Sequence, residues 1–165
     1  MVESPIRRAG VAGPMADSPF ARPVLVVDDS AVVRAVLSDM LRRFGFKAIH
    51  EAATAQDALD IWARARPGII LLDITLPEVP GSRVATHILR DDPHAKIIVV
   101  SAVSRDAALV ESVISLGVYD YIRKPVRQED LERVFARIQD EAAGAPGFRV
   151  PAAPEDGDEP RAPGA

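Results

Sequence analysis

Asp28, Asp29, Asp73, Ser101 and Lys124 are the side chains best suited to chemistry, and each stands at the end of an apolar run. Val24-Leu25-Val26-Val27 stops on Asp28-Asp29, and Ile69-Ile70-Leu71-Leu72 stops on Asp73. Ile97-Ile98-Val99-Val100 stops on Ser101, and Val118-Tyr119-Asp120-Tyr121-Ile122 leads to Lys124-Pro125. Three carboxylates brought close repel one another unless a cation joins them. Oxygen ligands without His or Cys fit a hard ion. Mg²⁺ fits best, because it takes few carboxylates and keeps waters, with Mn²⁺ as the alternative. A lysine adds a point positive charge for a phosphoryl group, and a serine hydroxyl adds a hydrogen bond. The set describes phosphoryl transfer onto a carboxylate. Each residue also has a plainer reading, as helix cap, turn residue or solvated charge; the shared position at strand ends decides between them.

The elements that must carry these residues alternate in type. Short unbroken apolar runs suit strands buried on both faces of a parallel sheet. Between them lie segments with helical spacing. Ser30 caps one with Val33, Val36, Leu37, Met40, Leu41 and Phe44, stopped by Gly45. Lys47-Ala48-Ile49-His50 reads as the second strand, and Thr54 opens a helix with Ala55, Ala58, Leu59 and Trp62 on one face. Val84, Ala85, Ile88 and Leu89 mark a third helix, and Ala107, Val110, Val113 and Ile114 a fourth that ends at Gly117. Leu131, Val134, Phe135 and Ile138 form the stripe of a fifth. Five βα units imply a doubly wound α/β fold, a parallel five-stranded sheet in the order 2-1-3-4-5. In that order the strands ending on Asp28-Asp29, Asp73, Ser101 and Lys124 are neighbours, and their carboxyl ends meet at one crevice.

The chain of 165 residues accommodates one such domain over 23–141, with a lead at 1–22 and a tail at 142–165. Both ends are rich in Pro, Gly or Ala without periodicity and are expected to be disordered. A net charge of −4 argues against a general nucleic-acid footprint and leaves no polybasic patch for a membrane. The absence of cysteine excludes disulfides and thiolate metal sites. No apolar run approaches a membrane span and no secretory signal opens the chain, so a cytoplasmic location is expected.

These motifs resemble the receiver domain of two-component response regulators. The resemblance covers about residues 23–141 and rests on Val-Val-Asp28-Asp29-Ser30, Leu-Leu-Asp73 followed by Pro77 and Gly81, Ser101-Ala102, and Asp120-Tyr121-Ile122-Arg123-Lys124-Pro125. It implies a flavodoxin-like, CheY-like (βα)5 fold. It implies that Asp73 accepts the phosphoryl group of a sensor histidine kinase or a histidine phosphotransfer protein, with autodephosphorylation as the only further reaction. Asp29 and Asp73 would ligate Mg²⁺ with the backbone carbonyl of Thr75, and Asp28 would act mainly through water. Lys124 would pair with the phosphoryl group, Ser101 and Tyr121 would form the switch, and the Lys124–Pro125 peptide would be cis.

The sequence also departs from the family pattern. Pro80 precedes Gly81 where the family often has an acidic residue, which should stiffen the loop after Asp73. Val118 follows Gly117 where Ala is usual. Val103 is apolar at a position flanking the path of hydrolytic water, which predicts a longer-lived phosphoryl group. With no output module expected in 142–165, the message should pass by protein contact through the face of helix four, strand five and helix five. A chemotaxis-type binding module leads the readings. A phosphorelay carrier and an unphosphorylated scaffold are its rivals.

Overall fold

The computed structural model describes residues 19–102 and 107–144. Five strands are ordered β2-β1-β3-β4-β5 and pair in parallel throughout, the order expected from the βα alternation. The strands are β1 (Val24–Val27), β2 (Ile49–Ala52), β3 (Ile69–Leu72), β4 (Lys96–Ser101) and β5 (Asp120–Arg123). The helices are α1 (Ala31–Arg43), α2 (Ala55–Ala65), α3 (Gly81–Asp91), α4 (Ala107–Ser115) and α5 (Gln128–Ala142).

Strand alternation divides the core in two. Val24, Val26, Ile69, Leu71, Ile98, Val100 and Ile122 point to the face covered by α1 and α5, where they meet Leu37, Leu41, Leu131, Val134, Phe135 and Ile138. Leu25, Val27, Ile70, Leu72, Ile97 and Val99 point to the other face, against Ala58 and Trp62 of α2, Val84 and Ile88 of α3, and Val113 of α4. A central strand buried on both faces has no polar position to spare, which is why β1 and β3 read as unbroken apolar runs.

Register then sets the site. Val24 lies beside Ile69 and Val27 beside Leu72, so Asp28 and Asp73 follow on adjacent strands at the same level. The Asp73 amide donates to the Val27 carbonyl at 2.8 Å and prolongs the ladder to the acids themselves. Ser30 and Thr54 cap α1 and α2 through side-chain bonds from the Val33 and Asp57 amides. Gly45 and Gly117, at φ 95° and 90°, follow α1 and α4 in the left-handed conformation that favours glycine.

Several boundaries differ from the sequence expectation. The second strand is Ile49–Ala52 rather than 47–50, because pairing with β1 runs as far as Val27 beside Ala52 and carries polar His50 and Glu51 inside an edge strand. Val36 is exposed while Ser38 is buried, since α1 presents Leu37, Ser38 and Leu41 inward. Ile114 of α4 is likewise exposed. The lead expected to be disordered through residue 22 is instead packed from Pro19. Phe20 stacks on Phe46 at 5.8 Å between ring centroids and meets the edge of Phe135 at 6.0 Å. Arg22 donates to the Arg66 carbonyl at 2.7 Å and pairs with Asp92 at 3.1 Å. A Cβ on Gly68 would fall 2.5 Å from the Pro19 carbonyl oxygen, so the turn before β3 requires glycine beneath this segment. The expectations for 1–18, 145–165 and Val103 lie outside the described residues.

Candidate functional site

The carboxyl ends of β1 and β3 bring Asp28, Asp29 and Asp73 together, with one carboxylate oxygen of each lying within 4.8 Å of the others. Asp28 and Asp73 are buried and Asp29 is exposed, so the cluster opens to solvent on the Asp29 side. Local bonds fix each buried acid. Asp28 Oδ1 accepts the Ser30 amide at 2.9 Å, the turn that starts α1. Asp73 Oδ1 accepts both the amide and the hydroxyl of Thr75, each at 2.8 Å.

Lys124 enters from the end of β5. Its Nζ lies 2.9 Å from Asp73 Oδ2 and 2.6 Å from Asp28 Oδ2. Burial works against the ammonium charge, but the close contacts with Asp28 and Asp73 and their charges outweigh it and hold Lys124 above the usual lysine range. The Asp28 contact is an ion pair without hydrogen-bond direction. Oδ2 is buried and takes no hydrogen bond among the described residues. A buried carboxylate oxygen that faces an ammonium as an ion pair, in an all-oxygen cluster, has a lone pair left that fits a hard divalent cation.

The remaining expected residues occupy the neighbouring strand ends. Ser101 is fully buried at the end of β4, and its carbonyl accepts the Lys124 amide at 2.8 Å, tying it to the lysine through the backbone. Tyr121 is partly buried and packs against the α2–α4 face, beside Val99 in register. The Lys124–Pro125 peptide is cis.

The loop after Asp73 folds back on the acid. A Cβ on Gly81 would lie 2.2 Å from the Asp73 carbonyl oxygen, so only glycine allows this approach, and the Gly81 amide donates to the Ile74 carbonyl at 3.0 Å. Pro80 is the N-cap of α3 and supplies no side-chain cap. Glu78 takes φ 65° between the two prolines, a left-handed conformation that disfavours a side chain with a Cβ.

Sequence reasoning gave no site role to Arg34, whose guanidinium donates to the carbonyls of Asp28 and Asp29 at 2.7 and 3.2 Å. Its only signal was its place one turn into the helix that follows the two acids.

A family model, the response regulator receiver domain, matches residues 24–136. The chain belongs to the response regulator receiver family. The receiver is 38% identical over 115 residues to the chemotaxis protein CheY of Thermotoga maritima, covering 70% of this chain and 95% of that one. It is 33% identical over 115 residues to protein CcdB of Bacillus subtilis, again covering 70% and 95%. Among solved structures it resembles a CheY-like receiver domain protein from Methanospirillum hungatei, with TM-score 0.67, 26% identity, and coverage of 75% and 98%. A receiver is a signalling domain that implies a phosphodonor and an effector, and its family binds a divalent metal through an aspartate cluster. No described helix is long and apolar enough to cross a membrane.

Proposed function

We propose that the receiver accepts a phosphoryl group on Asp73 from a phosphohistidine, on a sensor histidine kinase or a histidine phosphotransfer protein, in the presence of Mg²⁺. An Asp73 carboxylate oxygen attacks phosphorus. The P–N bond breaks with its electron pair going to the imidazole, and an acyl phosphate remains on Asp73. The observation that carries this reading is Lys124 held between Asp28 and Asp73 inside the three-carboxylate cluster.

Asp29 and Asp73, with the Thr75 carbonyl, would hold Mg²⁺ (or Mn²⁺), with Asp28 acting mainly through water. The ion would neutralise charge on the phosphoryl oxygens. Lys124 exchanges its Asp73 contact for a phosphoryl oxygen, as a point charge can without changing its stem. Ser101 donates its hydroxyl to the phosphoryl group, and Tyr121 takes up the space so released. The functional unit is residues 23–141 with the packed 19–22. Phosphorylation then favours an arrangement that an effector binds more tightly at the α4–β5–α5 face. A chemotaxis-type effector agrees with the CheY relatives. Neither a relay carrier nor an unphosphorylated scaffold is favoured by the comparisons.

Incubation with acetyl phosphate or phosphoramidate and Mg²⁺, read by intact mass, tests the proposal. The wild type should gain one phosphoryl group and Asp73→Ala none. Equal gain in both, or no gain in either, would overturn it.

A further inference from the structure

Behind the carboxylate cluster lies a second set of contacts. Arg34 Nη1 donates to the carbonyl oxygens of Asp28 and Asp29. On its other side Arg34 Nε faces Glu51 Oε2 at 3.5 Å, and Glu51 Oε1 accepts the Ser38 hydroxyl at 2.6 Å. Ser38 is fully buried on α1, one turn beyond Arg34, and Glu51 lies in β2 beside Val26. The contacts therefore run from α1 across to β2 and back to the peptides of the two acids.

We infer that Arg34, held by Glu51 and Ser38, is a positioning residue for divalent-cation binding, fixing the turn that aims Asp28 and Asp29 at Asp73. The inference rests on the metal reading above. One guanidinium nitrogen bound to two consecutive carbonyls fixes two peptide planes, and those planes set the Cα–Cβ directions of both acids. Three like charges left to themselves would relax by turning apart, and the brace opposes that relaxation. Glu51 has its own part. A lone guanidinium behind the cluster would repel the cation, whereas the Arg34–Glu51 pair is close to neutral and leaves only the orientation. Lysine cannot replace Arg34, because one ammonium cannot reach both carbonyls and Glu51 from separate nitrogens of a rigid plane. Partners that orient a ligand in this way typically change metal affinity by about 10–100-fold when removed.

The test is calorimetric titration of the unphosphorylated full chain with Mg²⁺, comparing wild type, Arg34→Met, Arg34→Lys and Glu51→Gln. Thermal unfolding of each is recorded in chelator. Arg34→Met and Arg34→Lys should each weaken Mg²⁺ binding by about tenfold. Glu51→Gln should weaken it as well, with an added dependence on ionic strength. Trp62→Phe, which loosens the α2–α3 contact away from the acids, should lower Tm and leave the Mg²⁺ affinity within twofold. A merely structural Arg34 would behave like Trp62, with lower Tm at unchanged affinity, and that result in either Arg34 variant overturns the inference. Arg34→Lys keeps it falsifiable should Arg34→Met fail to fold. A wild type that binds no cation would overturn the metal reading and the brace together. A wild type that binds, with Arg34 variants that bind equally well, would overturn the brace alone.

Discussion

The two ends of the sheet are built in opposite ways. At the carboxyl end, buried acids crowd one lysine, a carboxylate oxygen takes no hydrogen bond among the described residues, and Glu78 sits in a left-handed conformation. At the amino end, Phe20, Phe44, Phe46 and Phe135 form a ring cluster with centroids 5.1–6.0 Å apart. Arg22 meanwhile pins the segment before β1 to Asp92 and to the Arg66 carbonyl. Crowded like charges and a disfavoured backbone cost stability, and such features persist only where the rest of the molecule over-determines them. The aromatic end supplies that surplus. The carboxyl end can therefore keep an arrangement suited to an ion and a phosphoryl group rather than to the resting fold.

If the division is real, damage at one end should leave the property of the other intact. The largest effect is expected at the aromatic end. Phe135→Ala removes the ring that three other aromatics contact and should cost about 3–5 kcal/mol in denaturant unfolding. Its Mg²⁺ affinity, measured well below the unfolding midpoint, should stay within twofold of wild type. Next is the ion itself. Mg²⁺ at a hundredfold excess over its Kd should raise stability by about 2.7 kcal/mol, seen as a higher Tm than in chelator, and Phe135→Ala should retain that increment. Asp29→Asn works in the opposite sense. Relief of like-charge crowding should stabilise the metal-free protein by about 0.5–1 kcal/mol, while the Mg²⁺-dependent rise in Tm is lost. An Asp29→Asn protein that is less stable in chelator would contradict the account of the carboxyl end.

The smallest effect concerns the α5 side of the sheet. Tyr119 is pushed up to about 12 by burial first and then by its bond to Glu141. An unfolded tyrosine titrates near 10. Between those values the folded state keeps a proton that the unfolded state has released. The contribution of Tyr119 is thus complete below pH 10 and is lost as pH rises towards 12. Phenolate absorbance of Tyr121→Phe, which leaves Tyr119 as the one tyrosine, should show a midpoint near 12. Adding Glu141→Ala should lower it part of the way.

What could be read in the sequence follows the same division. β1 and β3 were legible because burial on both faces leaves an unbroken apolar run, and the acids beyond them were legible because each run stops on one. The α5 stripe was legible because Leu131, Val134, Phe135 and Ile138 all face one side and all are buried. β2 was displaced because an edge strand half-open to solvent carries His50 and Glu51, which break the apolar signal. Arg34 and Glu51 stayed hidden because their meaning lies in a contact between a helix and a strand, which no local spacing reveals. Phe20 stayed hidden for the converse reason: a single aromatic among prolines and glycines has no periodicity, and its partners lie in distant parts of the chain.

That aromatic also bears on where the domain begins. The family match opens at residue 24, yet the core has already started at Phe20. A truncation made at the family border would carry every strand and every acid of the site and still lack a wall of its own interior. Phe46 and the edge of Phe135 would then face solvent as an apolar patch, open to a second copy of the chain or to whatever sequence is fused in front.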